Sequence, residues 1–536
     1  MHIEKIKIEG FKTLLSFEVN LNKNLNIIVG DNETGKTTLL EAINLVLSCQ
    51  LDSRNIQYEL NPYIFNSKMV KDYFEAVAKG DKPSPPKVLI EAYFNDDNSP
   101  EITKLKGTHN EDRLDCPGLS LLVHLNEEFA DDFWVYMMVE DNPGLLTIEY
   151  YHVTWLSFAG DYVATRSLPF GSTIIDTSLV KGQFGPNKYI AKIIRDVLKT
   201  EERLLHTLSL EYRKLKNAFI KEKGVKVINE YLETLKGDIT EKTLTVAMDM
   251  SARSTWESTI TAHLDEIPFD SIGKGEQRRV QMKLAIEAAG KANVLLIEEP
   301  ENHLSHSNMA RLLEEVGHKS DGRQTILTTH SNFVLNKLGM DKMTLLSAGN
   351  PITLGDLSTE TRDYFMKLPG YNTLRLILSS KTILVEGPSD ELIVQKAYLE
   401  EHDKLPLEDG VDVISVMSLS FKRFLEIGKL LKLNIRVVTD NDGKVAALKK
   451  KYTEYIDRRV ENIRICFDID EDYPDLEAQL LKVNTLNTLN ELLDKDFAND
   501  EDLLSYMRNN KTDTALKVFE AVKPIIFPKY ILDAIN

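Results

Sequence analysis

Cysteine is scarce in this chain, and its few copies lie far apart. Of 536 residues only three are cysteine: Cys49, Cys116 and Cys466. Their spacing fits neither a disulfide framework nor a zinc site, so a reducing compartment is the default. Long apolar runs are also missing, because no stretch reaches the ~18–20 residues that a membrane span needs. The first residues contain no apolar signal core, and we therefore expect a cytoplasmic protein without a membrane partner.

Positive charge is in deficit, since the formal net charge is -18. Proteins that bind nucleic acid neutralise phosphates with Lys and Arg, so this balance argues mildly against such a partner. Bound cations reverse the local sign in metal-dependent enzymes, however. Basic segments also occur at Lys422-Arg423 and from Lys444 to Lys451. These segments either line a groove or form solvated helix faces, and the sequence leaves both readings open.

A complete phosphate-binding loop lies near the start of the chain. Residues 30–37 read G-x-x-x-x-G-K-T, follow an apolar strand and open a helix, which is the context this motif requires. Backbone N–H groups and the helix N-terminus bind phosphate, Lys36 reaches the β- and γ-phosphates, and Thr37 holds Mg²⁺. The sequence therefore predicts an ATP site that contains Gly30, Asn32, Gly35, Lys36, Thr37 and Thr38.

A second apolar strand, Val294 to Ile297, ends in a pair of carboxylates. We predict that Glu298 binds Mg²⁺ through water and that Glu299 polarises the attacking water as a general base. Four residues of the buried type stand directly before this pair. An exposed, purely solvated strand end is therefore a poor alternative.

A glycine-rich turn precedes this strand and a histidine follows it. The turn contains Ser271, Gly273, Gly275 and Gln277. At this distance from the glutamate pair it resembles the signature motif of ABC-type ATPases, which contacts ATP held by a second subunit. His330 resembles the switch histidine that senses the γ-phosphate. The order of motifs resembles the SMC/RecF-like branch of these ATPases, and that resemblance implies at least a dimer.

Acidic residues follow two apolar strands in the last third of the chain. Glu386 comes after Ile383–Val385, and Asp440 and Asp442 come after Ile435–Thr439. Parallel strands place their C-terminal ends at one edge of a sheet, where ligands bind. Carboxylate oxygens suit Mg²⁺ or Mn²⁺, and two such ions can clamp the attacking and leaving oxygens of a phosphodiester. The sequence thus predicts a second metal centre.

This carboxylate pattern resembles the Toprim fold. Its hallmark is a Glu after the first strand and Asp-x-Asp after the third. Asp390, four residues beyond Glu386 and on the same predicted helical face, is a further candidate ligand. Glu477 resembles the later metal-binding Glu of Toprim nucleases. An SMC-like ATPase followed by a Toprim domain resembles the OLD (overcoming lysogenization defect) nucleases.

Two further segments carry the OLD resemblance. The run Glu298-Glu299-Pro300-Glu301-x-His303-Leu304 matches the Walker B region of the family. Lys511 resembles a family lysine that is proposed to steady the scissile phosphate, a role suited to a point charge. One departure is visible, because the family often reads His-Leu-His-Pro where this chain has His303-Leu304-Ser305-His306.

The predicted fold class is α/β, with an ABC/SMC-like P-loop ATPase head, a helical insert and a C-terminal Toprim domain. We predict an ATPase domain at 1–190 and 241–370, an insert at 191–240 and a Toprim domain at 371–536. In the insert, helical spacing connects Leu204, Leu208, Tyr212, Leu215 and Phe219. That face either helps dimerisation or packs on its own domain.

The resemblance implies an ATP-gated, Mg²⁺- or Mn²⁺-dependent DNA endonuclease acting in anti-phage defence as a homodimer or larger homo-oligomer. A rival reading is an SMC/RecF-like repair ATPase without nuclease activity, but such a protein has no use for a second metal centre. Another is an OLD effector controlled by a partner. That partner is either a helicase-like protein or a retron reverse transcriptase with its RNA and DNA.

Overall fold

The structure is a computed structural model of the whole chain. The residues that it describes are 1–51, 54–137, 145–164, 168, 171–176, 202–235, 243–249, 256, 262–288, 293–301, 323–331, 342–347, 350–353, 357–367, 373–379, 381–417, 421–456 and 460–536.

The strands of the first half of the chain are β1 (Ile3–Phe11), β2 (Leu14–Asn20), β3 (Leu25–Gly30), β4 (Gln50–Leu51), β5 (Arg54–Asn55), β6 (Val88–Phe94), β7 (Lys106–Gly107), β8 (Cys116–Leu125), β9 (Tyr151–Ser157), β10 (Ser172–Asp176), β11 (His263–Leu264) and β12 (Ile267–Pro268). Those of the second half are β13 (Val294–Glu298), β14 (Gln324–Thr329), β15 (Met343–Ser347), β16 (Asn350–Thr353), β17 (Lys381–Val385), β18 (Val411–Ser415), β19 (Asn434–Val438) and β20 (Ile463–Cys466).

The helices up to residue 378 are α1 (Lys36–Ser48), α2 (Ile56–Glu59), α3 (Ser67–Ala78), α4 (Pro100–Thr103), α5 (Ala130–Met137), α6 (Glu202–Ile220), α7 (Lys223–Thr234), α8 (Lys274–Ala288), α9 (Thr359–Lys367) and α10 (Thr373–Leu378). Beyond them come α11 (Pro388–His402), α12 (Phe421–Leu430), α13 (Val445–Lys451), α14 (Thr453–Ile456), α15 (Leu476–Val483), α16 (Leu486–Leu493), α17 (Asp500–Asn509), α18 (Lys511–Glu520) and α19 (Lys529–Ile535).

The chain divides into two compact units. The first consists of Met1–Asn26 and Thr37–Thr328, and the second of Ile27–Lys36 and Thr329–Asn536. Within the described residues, no helix is long and apolar enough to cross a membrane.

An antiparallel sheet in the order β2-β1-β6-β8-β7, with β9 paired to β8, dominates the start of the first unit. In β1 the side chains of Ile6 and Ile8 are fully buried while Lys7 between them is partly exposed, as expected when one face covers a core. Strand β6 is buried along its whole length. The sequence between Lys87 and about Tyr162, interrupted by Pro, Gly and Asn turns, predicts a β-rich region. The structure confirms that prediction, although α4 and α5 interrupt the strands.

The first unit also contains parallel strands in the order β10-β13-β14. Residues Val294 to Ile297 are buried, which is the pattern of a parallel strand covered on both faces. The register pairs Glu298 with Thr328, so the predicted carboxylate pair lies at the C-terminal end of this group of strands.

The helical insert contains two consecutive helices, α6 and α7, within its described residues. The apolar residues predicted to share a face of α6 do lie on a helix, and Leu215 and Phe219 are 67% and 56% exposed. That exposure leaves an apolar surface on the helix.

In the second unit, β3 pairs in parallel with β15, and β15 pairs antiparallel with β16. A separate sheet in the order β18-β17-β19-β20 is parallel throughout. Helices α11 and α19 pack together, and α12 packs against β19 and β20. The compact parallel α/β domain predicted from the sequence is thus confirmed.

One predicted helix is divided. The sequence pattern from Val445 to Arg459 predicts one continuous helix, but α13 ends at Lys451 and α14 begins at Thr453. Tyr452, which lies between them, is 1% exposed. Burial of this large ring in the core takes precedence over helix continuity.

Candidate functional site

The phosphate loop folds around its own lysine. Strand β3 ends at Gly30 and α1 begins at Lys36, whose ammonium donates to the carbonyl oxygens of Gly30 at 2.7 Å and Asp31 at 2.8 Å. A Cβ on Gly30 would lie 2.4 Å from Thr34 Oγ1, so a larger residue does not fit without movement. Gly35 has φ of 97°, a conformation that favours glycine. The predicted strand, loop and helix are all present.

Thr37 and Glu298, both predicted to serve the ATP-bound magnesium, are in direct contact within the first unit. Thr37 Oγ1 donates a short hydrogen bond to Glu298 Oε1. Glu299 follows with φ of 40°, and its N–H donates to the carbonyl oxygen of Thr328 at 3.0 Å. A left-handed, non-glycine residue at this point is backbone strain of the kind that concentrates at functional sites.

The signature-like turn is stabilised from within its own chain. A short 3-10 turn ends at Ser271 and α8 begins at Lys274. The buried amide of Gln277 donates to the carbonyl oxygens of Phe269 at 2.7 Å and Ile272 at 2.9 Å. Gln277 therefore shapes the turn itself, and contact of Ser271, Gly273 or Gly275 with nucleotide remains a prediction.

The remaining nucleotide-site candidates are placed as follows. Asn32 is exposed in the loop, and Thr38 Oγ1 lies 3.1 Å from Thr13 Oγ1. His330 is exposed directly after β14. The segment from His303 to His306 lies outside the described residues. The roles assigned to these residues stay predictions.

Two strand ends bring the first acidic residues together in the parallel sheet of the second unit. Strands β17 and β19 pair in parallel with Leu384 opposite Val437, so Glu386 and Asp440 follow neighbouring strands at the same edge. Glu386 Oε1 accepts hydrogen bonds from Thr439 Oγ1 at 2.6 Å and from the Asp440 N–H at 3.2 Å. The backbone and one hydroxyl therefore fix the orientation of the Glu386 carboxylate.

Asp390 reaches this region for a different reason from the one predicted. Glu386 is not part of a helix, because α11 begins at Pro388, so the two residues do not share a helical face. Asp390 instead lies in the first turn of α11, where its Oδ2 accepts a hydrogen bond from the Gly387 N–H at 3.0 Å. A cap at the helix N-terminus positions it.

Glu477 and Lys511 form an ion pair beside the strand ends. Glu477 lies in the first turn of α15 and is 2% exposed. Lys511, the first residue of α18, places its Nζ 3.2 Å from Glu477 Oε2. Asp475 caps α15 through the Ala478 N–H at 3.0 Å and accepts a 2.7 Å bond from Arg508 Nε.

Burial and neighbouring carboxylates raise the pKa of two of these acidic residues, Asp440 and Asp390. Burial raises the pKa of Asp440 to about 8, and the charges of Asp390, Glu386 and Glu477 add to the effect. Burial, followed by Glu386, raises the pKa of Asp390 to about 6. The pKa of Lys511 also rises, because attraction to Glu477 and Asp440 outweighs the opposing effect of burial. Residues from separate strands and helices thus share one negative field.

Glu386, Asp390, Asp440 and Glu477, which we call the carboxylate cluster, therefore lie close together. The described residues contain no set of three or more His, Cys, Asp or Glu side chains already arranged to hold a metal ion. Several carboxylate oxygens instead accept hydrogen bonds from the protein. The donor set suits a hard divalent cation, whose charge would relieve the mutual repulsion.

Asp442 differs from the cluster in its surroundings. It is exposed, has φ of 50°, and its N–H donates to the carbonyl oxygen of Pro474 at 3.0 Å. Burial raises the pKa of Asp440, and the charges of Asp390, Glu386, Glu477 and Asp475 raise it further. The predicted role of Asp442 as a ligand is not tested by this arrangement.

Sequence reasoning missed Asn441, which stands between the two predicted aspartates. It is 3% exposed, and its Nδ2 donates to the carbonyl oxygens of Asp468 at 3.1 Å and Asp470 at 2.8 Å. Its Oδ1 accepts from the Gly443 N–H at 2.7 Å. Asn441 thereby ties the Asp-x-Asp turn to the loop after β20. Its position inside the motif was the only available signal.

Tyr530 was also missed. This buried residue of α19 has its pKa raised by burial and by the charges of Asp440, Asp390 and Glu386. Its hydroxyl therefore lies within electrostatic range of the carboxylate cluster, although it is 90 residues from Asp440 in sequence. Nothing in the sequence near Tyr530 indicates that proximity.

Comparisons with known protein families match three stretches of the chain. Residues 1–142 match the AAA ATPase domain family. Residues 206–336 match a second AAA domain family, described with the AbiEii toxin of Type IV TA systems. Residues 377–442 match the TOPRIM domain of overcoming lysogenization defect protein-like proteins. The predicted α/β fold class, with an ATPase region followed by an OLD-like Toprim domain, is confirmed.

Individual proteins show similarity at two levels. Endonuclease GajA of Bacillus cereus is 20% identical over 598 residues, which span 95% of this chain and 85% of that protein. The replication and repair protein RecF of Actinobacillus pleuropneumoniae is 31% identical over 74 residues, only 13% of this chain and 21% of that protein. The SMC head domain from Thermotoga maritima superimposes with a TM-score of 0.30 and 13% identity over 66% of this chain and 97% of that one.

Proposed function

We propose that this chain, which joins ATPase regions to an OLD-like Toprim domain, is an ATP-gated, divalent-metal-dependent DNA endonuclease. One observation carries the proposal: the convergence of Glu386, Asp390, Asp440 and Glu477 from separate strands and helices into one buried negative field. An ATPase has no need of a second carboxylate centre far along the chain from its own Glu298. The full-length similarity to the endonuclease GajA supports the same proposal.

The chain supplies each part of the hydrolysis. Glu386, Asp390, Asp440, Asp442 and Glu477 would hold Mg²⁺ or Mn²⁺, which activates water and neutralises charge at the scissile phosphate. Thr439 and the Asp440 N–H fix the Glu386 carboxylate. Lys511, now paired with Glu477, offers a cation for the negative charge that develops on the phosphate.

ATP is proposed to act through the head rather than at the nuclease centre. Lys36 and Thr37 would bind the phosphates and their Mg²⁺, Glu298 would hold that ion, and Glu299 would polarise water. The turn from Ser271 to Gln277 would contact ATP in a second copy of the chain. The exposed apolar residues of α6 support a homodimer or larger oligomer, because such a surface is normally covered.

The proposed role is a cytoplasmic effector of anti-phage defence, as the OLD resemblance implies. A repair ATPase related to RecF is a weaker alternative, because that similarity spans only 13% of this chain. Control by a helicase-like protein or by a retron reverse transcriptase remains open. Neighbouring genes would distinguish these two partners.

The direct test incubates the purified protein with supercoiled plasmid, with Mg²⁺, Mn²⁺ or EDTA, and with or without ATP. Metal-dependent nicking or linearisation is the expected result. Asp440→Ala should remove cleavage, while ATP binding, measured by calorimetry, should be unchanged. Full cleavage by Asp440→Ala, or cleavage unaffected by EDTA, would exclude the assigned metal centre.

A further inference from the structure

Two basic segments that are distant in sequence line one open cleft in the second unit. The cleft, of about 410 Å³, lies between α12 and the pair α13–α14. Its charged lining consists of Lys422, Arg423, Glu426, Lys429, Lys451 and Glu454. The sequence left open whether Lys422-Arg423 and Lys444 to Lys451 form solvated faces or a groove. In the structure both segments contribute to the same concave surface.

The acidic residues of the cleft are engaged by other groups. Glu454 pairs with Lys429 across the cleft. Glu426 accepts hydrogen bonds from the Ser358 N–H at 2.6 Å and from the hydroxyl of Thr361, at the start of α9. Two of the basic residues are engaged as well, since Arg423 donates to Thr361 Oγ1 at 3.0 Å and lies 4.0 Å from Glu360, and Lys429 is paired with Glu454. The exposed Lys422 and Lys451 therefore carry the positive charge that the cleft presents to solvent.

This positive surface contrasts with the chain as a whole, which carries a net charge of -18. Lys444, Lys449 and Lys450 are exposed on or beside α13 and extend the basic surface beyond the cleft. Tyr455 is the only aromatic ring of the lining. Pockets for small organic ligands are mostly apolar. A polar, basic and open cleft fits an extended polyanion better.

The cleft also has a defined position relative to the carboxylate cluster. Helix α12 follows β18, and α13 follows β19 directly after the Asp440–Gly443 turn. Both helices therefore begin at the C-terminal edge of the parallel sheet, where Glu386 and Asp440 lie. Lys422 and Arg423 stand in the first turn of α12, the end of that helix nearer this edge, whereas Lys451 is the last residue of α13.

We propose that this cleft, between α12 and α13–α14, binds the sugar–phosphate backbone of duplex DNA and guides it toward the carboxylate cluster. The inference rests on the proposed nuclease function and assigns the path of its substrate. Lys422 and Lys451 are the residues that would contact phosphates. Such contacts are independent of base sequence and weaken as salt rises.

The test compares two double variants that remove the same charge. Lys422→Gln/Lys451→Gln alters the cleft, and Lys404→Gln/Lys517→Gln alters exposed lysines that do not line it. Fluorescence anisotropy of a labelled duplex in EDTA measures binding without cleavage. The cleft variant should bind about ten-fold more weakly or worse, and the slope of log affinity against log salt should fall by up to about 2 units. The control should match wild type.

Three outcomes separate the inference from the function beneath it. If wild type neither binds nor cuts DNA, the proposed nuclease function itself fails. If wild type binds and cuts while both variants match it in affinity and salt slope, the cleft assignment is wrong and the nuclease function stands. If the Lys36→Ala protein keeps a residual ATP site, and adding the cleft substitutions removes that site while DNA affinity stays at the wild-type level, the cleft takes a free nucleotide and the DNA assignment falls. Melting temperatures confirm that both variants fold.

Discussion

Asp440 sets the stability of the carboxylate cluster as well as its chemistry. Its pKa is about 8 in the folded chain and 3.8 ordinarily, so the folded state holds the proton more tightly than the unfolded state. Stability therefore falls as pH rises between these two values in the absence of metal. The loss of stability caused by ionising Asp440 is absent well below pH ~4, where the carboxyl is protonated in both states. It reaches its full size above pH ~8.

Asp440→Asn should consequently stabilise the metal-free protein at high pH. In EDTA at pH 8 we expect a higher melting temperature than wild type, by about 2–4 °C for each kcal/mol of relieved repulsion. Near pH ~3 the difference should largely disappear, because Asp440 is then mostly protonated in both the folded and the unfolded state. Scanning calorimetry at the two pH values measures this. A variant that melts lower than wild type at pH 8 would show that Asp440 is not crowded by like charge.

Asn441 links two loops at the carboxylate edge. Removing its side chain leaves the carbonyl oxygens of Asp468 and Asp470 without that partner, which typically costs about 1–3 kcal/mol. Asn441→Ala should therefore lower the free energy of unfolding by this amount, measured by urea denaturation. Plasmid cleavage should also fall strongly, since the Asp-x-Asp turn loses its anchor, while ATP binding should be unchanged.

Asn484→Ala provides the matched control for that experiment. Asn484 also bridges two backbone segments, donating to the carbonyl oxygens of Leu480 at 2.9 Å and Ile526 at 2.8 Å, at the end of α15 opposite Glu477. We expect it to lose stability and keep cleavage. Equal loss of cleavage in both variants would mean that Asn441 contributes only general stability.

At the scale of helices and strands, α6 presents the clearest unpartnered apolar surface of the described chain. Leu215→Glu with Phe219→Glu places two charges where Leu215 and Phe219 are 67% and 56% exposed. If that face contacts a second copy, light scattering should show a shift toward smaller assemblies. Leu407→Glu, at a position 74% exposed, is the control and should leave the mass unchanged. An unchanged mass in the α6 variant would remove this helix from the interface.

Elements with strong local signals were predictable from sequence, and those fixed by distant contacts were not. The apolar run from Val294 to Ile297 predicts a buried strand, and the glycine-containing loop that ends at Lys36 predicts a phosphate-binding loop. Both predictions need only the local composition. The break between α13 and α14 depends on where Tyr452 is buried. Local periodicity contains no information about that.

The candidate site shows the same division. Glu386 and Asp440 were predictable because each follows an apolar strand, and parallel pairing places strand ends together. Asp390 was named for a helical face that does not exist, and its true position comes from the cap at Gly387. Tyr530 reaches the cluster only through packing of the last helix, which no motif describes.

At the scale of the whole molecule, the open question is whether the ATPase head governs the nuclease. Glu299→Gln should bind ATP but fail to hydrolyse it, and so favour whichever assembly ATP stabilises. Coupling of this kind reflects a difference in ATP affinity between two states, typically ~1–3 kcal/mol. Cleavage by the variant should therefore respond to ATP differently from cleavage by wild type.

A plasmid-cutting titration against ATP, with assembly mass measured in parallel, tests this coupling. Lys36→Ala is the control, because it should lose ATP binding and become insensitive to the nucleotide. Identical response curves and identical mass for Glu299→Gln and wild type would show that the head does not gate cleavage.

Because acidic groups surround Asp440, we expect metal binding at the carboxylate cluster to release a proton. Near neutral pH the cluster keeps about one proton, mostly on Asp440, and a cation bound there must displace it. A calorimetric titration with Mn²⁺ should then give an apparent enthalpy that depends on the heat of ionisation of the buffer. The slope of that dependence counts the displaced protons, so metal binding at the proposed centre can be measured without any substrate.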